Sequence, residues 1–228
     1  MNVPVLNMKG ATVGQLAIDA ETLGGEINPA LIKQAYVMYH ANTRVGTSKT
    51  LNRENVEGST KKIVKQKGTG GARHGDRKVP HFRGGSHAHH KQRVAEDYHK
   101  SMPKKMRRKA NLNALLAKLI DNEVKVIDTL ALGAPKTKDF SMFLDAIKVD
   151  RSALVAVGID NDNVRKSARN LESVQLVPAN QLNAFDLLNN RYLVIAKSDL
   201  EAYLAGPWSQ TTKDAKLNPK GAKRNGSK

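Results

Sequence analysis

The sequence predicts an α/β fold, a mostly parallel sheet layered between helices, broken by a long basic internal loop and followed by a basic C-terminal tail. Three observations predict it. From Val124 onward short apolar runs alternate with segments of helical periodicity. The run Ala153-Leu154-Val155-Ala156-Val157 is continuously apolar, as a strand covered on both faces must be. Lys and Arg are crowded into two stretches that lack any apolar period. A layered domain of Rossmann-like type follows.

In chain order, Val3 to Met8 and Val13 to Ile18 alternate as short strands, and Asn28-Pro29 opens a helix carrying Leu31, Ile32, Ala35, Tyr36 and Tyr39 on one face. After the loop, Pro103 opens a second helix with Met106, Ala110, Leu112, Asn113, Leu116 and Leu119 or Ile120 at near-helical spacing. Its basic residues fall in the first turns, where cations oppose the helix dipole and an anionic partner would relieve them. Strands are expected at Val124 to Ile127, Ala153 to Val157, Val174 to Val177 and Tyr192 to Ala196. Helices are expected at Thr137 to Ile147, Val164 to Asn170, Gln181 to Leu188 and Leu200 to Leu204. The expected organisation is one globular domain over 1–43 and 106–208, an inserted loop over 44–105, and a flexible tail over 209–228 with Trp208 anchoring its start.

The 228 residues carry a formal charge of +17, which favours nucleic acid or an anionic membrane as partner. Residues 44–110 hold 19 Lys/Arg against five Asp/Glu, and 209–228 hold six against one, so the body is nearly neutral. Hydrophobic residues reach 39% but aromatics only 4%, which demands an aliphatic core. Cysteine is absent, which excludes disulfides, thiolate zinc sites and a cysteine nucleophile, and suits the cytoplasm. No apolar run approaches the ~20 residues of a membrane span, and Met1 to Gly10 lacks a secretory pattern, so a membrane role is not expected.

Between Gly46 and Met102 apolar residues are sparse and aperiodic, so this stretch is not expected to bury a core; composition alone would also allow a disordered basic linker. Eight glycines between 44 and 110 let the backbone approach another surface closely. The candidate phosphate contacts are Arg44, Lys49, Arg53, Lys61, Lys62, Lys65, Lys67, Arg73, Arg77, Lys78 and Arg83, with Lys104, Lys105, Arg107 and Arg108 at the second helix. Gln66, Gly68, Thr69, Gly70, Gly84 and Gly85 are candidates for close backbone approach, and His74, His81, Phe82 and His87 for stacking or bonding to RNA.

The run Lys65 to Gly75 superficially resembles a phosphate-binding glycine loop, but it lacks the Gly-Lys-Ser/Thr ending and the strand-turn-helix setting that a nucleotide cradle needs. Six of seven histidines fall between His74 and His99, which raises a metal site. An imidazole-only site needs an ordered scaffold for three or four ligands, so no metal and no other cofactor is expected. No nucleophile-base-acid arrangement stands out, and no enzyme activity or small-molecule substrate is expected. The loop acids Asp76, Glu96 and Asp97 read as partners of neighbouring cations.

Four motifs in order carry a specific resemblance: Ala41 to Thr47, Gln66 to Gly75, Phe82-Arg83-Gly84-Gly85, and Met102 to Ala110, joined by Ala134-Pro135-Lys136-Thr137-Lys138 and Ser167 to Leu171. Over about residues 3 to 205 the chain resembles bacterial-type large-subunit ribosomal protein four, the L-four family. The resemblance implies a Rossmann-like body on the outer face of the subunit and a loop reaching through large-subunit rRNA toward the peptide exit tunnel. It also implies neighbouring ribosomal proteins as partners and a role in assembly and architecture without catalysis; some members regulate their own messenger RNA. Carried over by motif, the tunnel tip falls on Lys65, Lys67, Gly68, Gly70, Gly71 and Arg73. Gly71 stands where the family usually has Arg, Val64 replaces a usual aromatic, and Ser86 through His90 replace a third glycine and a Phe-Gly-Pro turn. A nucleotide-dependent enzyme and a free regulatory RNA- or DNA-binding protein are the competing readings.

Overall fold

The computed structural model describes residues 1–92, 95–158 and 161–205. The expected tail over 209–228 and the Trp208 anchor lie outside the described residues. The chain divides into two compact units, the first comprising Met1–Tyr39 and the residues from Ser101 on, the second His40–Lys100. The sequence-based boundaries for the insertion were 44–105, four or five residues further along at each end.

The first unit is built on six strands, β1 (Asn2–Leu6), β2 (Thr12–Ala17), β3 (Val124–Ile127), β4 (Ala153–Val157), β5 (Val174–Pro178) and β6 (Tyr192–Ala196), in the spatial order β2-β1-β3-β6-β4-β5. Only the β1–β2 pair is antiparallel; β1–β3, β3–β6, β6–β4 and β4–β5 all run parallel. The parallel pairs need long crossovers, and helices supply them. These are α1 (Pro29–Asn42), α3 (Lys104–Ile120), α4 (Thr137–Ala146), α5 (Asp162–Ala168) and α6 (Ala184–Asn189); α7 (Lys197–Ala205) follows the last strand, and a single turn, α2 (Ala95–Tyr98), lies in the second unit.

Strand alternation divides the core between the two faces of the sheet. Leu154 and Ala156 of β4 join Leu193 and Ile195 of β6 and Val124 and Val126 of β3 on one face, against Leu115, Leu116 and Leu119 of α3, Leu187 of α6 and Tyr203 of α7. Val155 and Val157, Val194 and Ala196 turn the other way, onto Phe140, Phe143 and Leu144 of α4 and Val164 and Ala168 of α5. All five residues of β4 are buried, which is why that run reads as uniformly apolar. Leu31 and Ala35 of α1 pack on Ala110 of α3 in a third small cluster with Tyr39 and Met102.

Local chemistry sets the element ends. Leu31 N–H donates to the Asn28 side chain at 3.0 Å, so Asn28 caps α1 just before its leading proline. The first strand stops at Leu6, short of the expected Met8, because the Asn7 side chain accepts from the Lys9 and Ala11 amides at 2.9 Å each and turns the chain. The helix expected over Gln181 to Leu188 is two pieces: a 3-10 turn at Ala179–Gln181 and then α6. Asn183 breaks it, since its side chain accepts from the Asp186 amide at 2.9 Å and caps a new helix start. Helix α5 begins two residues earlier than expected and stops at Ala168, and α7 begins at Lys197 rather than Leu200.

Candidate nucleic-acid interface

The second unit has little to hold it as a globule. Of its described residues between 44 and 92, one apolar side chain, Val56, is buried, together with the polar Asp76 and Ser86. Backbone and side-chain hydrogen bonds lace its outgoing and returning limbs instead. Thr50 N–H donates to Lys91 O at 2.8 Å, Lys91 N–H to the Thr50 hydroxyl at 2.7 Å, and His87 N–H to Leu51 O at 2.9 Å. At its neck the Lys100 amide donates to the Asn42 side chain at 2.9 Å, and the Asn42 amide group donates back to Lys100 O at 3.3 Å. Farther out, Ile63 N–H reaches Gly75 O at 3.0 Å across the Lys65–Arg73 stretch.

This lacing leaves the cations outside. Eleven of the twelve Lys/Arg residues between 44 and 92 are exposed, only Lys78 being half-buried, so the surface of this unit is set by their charge. Lys61, Lys62, Lys65, Lys67 and Arg73 are exposed along the outer stretch, as are Gln66, Gly68, Thr69, Gly70 and Gly71; Lys62 donates to the Gln66 side chain. Lys49, Arg77 and Arg83 are likewise exposed, and Arg44 lies over the Tyr98 ring at 3.8 Å. Arg53 donates from Nε and Nη2 to one oxygen of Asp76, at 3.1 and 2.6 Å.

His74, His81 and Phe82 come together as a small aromatic cluster, with ring centroids 4.5 to 5.8 Å apart and His81 exposed. His87 is exposed and apart from this cluster's ring contacts; its Nδ1 lies 3.3 Å from Ala88 O. Gly84 is exposed and Gly85 half-buried at the turn that follows. Among the described residues no group of three or more His, Cys, Asp or Glu could hold a metal ion.

In the first unit, Lys104 and Lys105 are exposed at the head of α3, whereas Arg107 and Arg108 are half-buried and turn partly inward. Burial pushes the Tyr39 hydroxyl pKa up, and the Arg107 charge nearby opposes that shift. Lys91 and Lys100, exposed cations of the second unit, escaped the sequence-based choice of site residues. The signal for Lys91 is the pairing of 49–51 with 87–92 and that for Lys100 its backbone bonds to the Asn42 side chain, neither of which local periodicity announces.

At the carboxyl ends of β4 and β5, in the region where α/β enzymes bind nucleotides, Val157, Arg165, Leu176, Val177 and Pro178 line a small cavity of about 180 Å³. A Cβ at Gly158, just beyond β4, would stand 3.3 Å from the Asp199 carboxylate, and the Asn163 side chain donates to Leu132 O at 3.0 Å. The run Lys65 to Gly75 opens no helix. Among the described residues no helix is long and apolar enough to cross a membrane.

An α/β body and a second unit whose exposed cations outnumber its acids are the two parts of this chain. The chain belongs to the ribosomal protein L4/L1 family, whose model matches residues 16–204. Members of that family are structural ribosomal proteins, and the chain is not an enzyme. It is 42% identical over 197 residues to the large ribosomal subunit protein uL4 of Dehalococcoides mccartyi, covering 86% of this chain and 93% of that protein. The protein of the same name from Symbiobacterium thermophilum is 40% identical over 195 residues, 86% of this chain and 93% of its own length. That from Desulfatibacillum aliphaticivorans is 39% identical over 200 residues, 88% and 96% respectively.

Proposed function

We propose that this chain is a structural constituent of the large subunit of the cytoplasmic ribosome that binds large-subunit rRNA through its second unit, supports subunit assembly, and extends the stretch Lys65–Arg73 toward the peptide exit tunnel. The observation that carries the reading is the exposure of eleven cations on a unit with almost no apolar core. Such a surface gains little from its own packing and much from phosphates, because each phosphate neutralised releases condensed counterions. Lys61, Lys62, Lys65, Lys67 and Arg73 supply the outermost charges, and the exposed glycines among them keep bulk away from an approaching backbone. The His74–His81–Phe82 cluster offers a ring face to an unpaired base, which is how single-stranded RNA is commonly held. Neighbouring large-subunit proteins would contact the nearly neutral body. The same phosphate-reading surface would also accept the chain's own messenger RNA.

Two measurements test this. Binding of the full chain to large-subunit rRNA should weaken steeply with salt, by several decades for ~6 to 10 phosphate contacts, and a flat plot of log affinity against log salt refutes it. The chain should also co-sediment with large subunits after a high-salt wash, because a threaded segment is held topologically. Its release into the wash would favour a surface-bound regulatory protein.

A further inference from the structure

Arg53 and Asp76 set themselves apart from the other charges of the second unit. Asp76 is an acid in a strongly cationic segment, and its side chain is only 4% exposed. Arg53 delivers both Nε and Nη2 to the same Asp76 oxygen, at 3.1 and 2.6 Å, across 23 residues of chain. The other oxygen, Oδ1, is enclosed and has no hydrogen-bond partner. The charge of this buried carboxylate is therefore met chiefly by Arg53.

The position of the pair gives it leverage. On one side lie the laced limbs, with Leu51 O bonded to the His87 amide and Lys78 O to the Ser86 amide, each at 2.9 Å. On the other side lie residues 54–75, which hold Lys61, Lys62, Lys65, Lys67 and Arg73 and are bridged by the Ile63–Gly75 hydrogen bond. Arg53 and Asp76 close the two ends of that outer stretch.

We infer that Arg53 is not a phosphate contact but half of a clasp: the Arg53–Asp76 pair positions the outer cations for RNA, an inference that rests on the RNA-binding reading above. Swinging Arg53 onto a phosphate would strand a buried carboxylate, and a phosphate contact at a solvated surface returns less than that costs. Arg53 also brings few counterions to release, because its charge is already compensated. Clasp and contact therefore predict opposite behaviour.

The experiment measures affinity of the full-length chain for bacterial large-subunit rRNA across a salt series, for the wild type and for Arg53→Gln, Arg53→Lys, Asp76→Asn and Lys65→Gln. Lys65→Gln serves as the reference for a lost phosphate contact and should lower the salt slope by roughly 0.7 to 0.9. Asp76→Asn adds one positive charge, so a purely electrostatic role predicts tighter binding; the clasp predicts binding about tenfold weaker. Arg53→Gln should weaken binding by a similar factor while leaving the slope as in the wild type. Arg53→Lys, which keeps one charged bond to the carboxylate, should recover affinity to within about threefold. The clasp is overturned if Asp76→Asn binds as tightly as the wild type or tighter, or if Arg53→Gln flattens the slope as much as Lys65→Gln. A wild type without salt-dependent binding would instead sink the RNA-binding reading itself, and the clasp with it.

Discussion

One methyl group at Gly85 should undo the return turn of the second unit. Built on the observed backbone, the new Cβ would lie 2.0 Å from Val79 O, 2.9 Å from Phe82 O and 3.0 Å from the Val79 carbonyl carbon, and none of these main-chain atoms can rotate aside as a side chain would. The turn is held by Phe82 N–H to Val79 O at 3.2 Å, Gly85 N–H to Phe82 O at 2.9 Å and Ser86 N–H to Lys78 O at 2.9 Å. Relief requires the Val79 carbonyl to swing away, and with it go two or three hydrogen bonds at roughly 1 kcal/mol each, about 2 to 3 kcal/mol in all. Gly84 is the internal control. Its surroundings are open, but its φ is +80°, so Gly84→Ala should cost only the left-handed penalty of about 1 to 2 kcal/mol. Because the damage is confined to the second unit, thermal unfolding of the body does not report it; the assay is amide hydrogen exchange at Phe82, Gly85 and Ser86. Gly85→Ala should lower protection there by about 30- to 150-fold, or abolish it where protection is smaller than that. Unchanged exchange in Gly85→Ala, or a larger loss in Gly84→Ala, would refute the contact argument.

Other consequences can be measured directly. Gly71 has nothing within 4 Å of an added Cβ, so Gly71→Arg should fold normally and steepen the salt dependence of rRNA binding by roughly 0.7 to 0.9 in slope; an unchanged slope counts against phosphates at this position. Lys118, 11% exposed, donates to Glu123 at 2.5 Å and to Arg191 O at 2.8 Å, while Arg191 also pairs with Glu123 at 3.1 Å. Lys118→Met should destabilise the body by about 2 to 3 kcal/mol in urea titration, less than for a wholly buried pair because Glu123 keeps Arg191. Burial pushes the Asp199 carboxyl pKa up from 3.8, so the folded state holds that proton more tightly than the unfolded state does. Its contribution to stability therefore falls as pH rises from the ordinary carboxylate value through the raised folded one, and Asp199→Asn should remove that part of the pH dependence above the ordinary carboxylate value. Urea midpoints of Asp199→Asn that track the wild type across this range would refute the assignment.

The body was legible because its code is local. Strands β4 and β6 begin and end where their apolar runs do, since a strand buried on both faces must be apolar throughout. Helix ends were legible less well. At Asn183 a capping side chain overrode a periodicity that runs on across it, and at Asn7 a side-chain turn cut a strand short. In the second unit the abundance of exposed cations could be read, but not their individual duties. Lys65, Lys67 and Arg53 look alike in sequence, and two are free at the surface while the third holds a buried carboxylate.

Composition and periodicity by themselves determined that a nearly neutral aliphatic body carries a cationic insertion with almost no core, because both are sums over neighbouring residues and need no knowledge of the fold. Tertiary structure alone decided that Arg53 closes on Asp76, that Arg107 and Arg108 turn partly inward, that Lys91 pairs with Thr50, and that Gly85 lies against Val79 O. Except for the tight turn at Gly85, each depends on where distant parts of the chain are brought together. Where the chain has no repeating pattern to fix its register, that meeting is set by a handful of specific hydrogen bonds that local sequence does not encode.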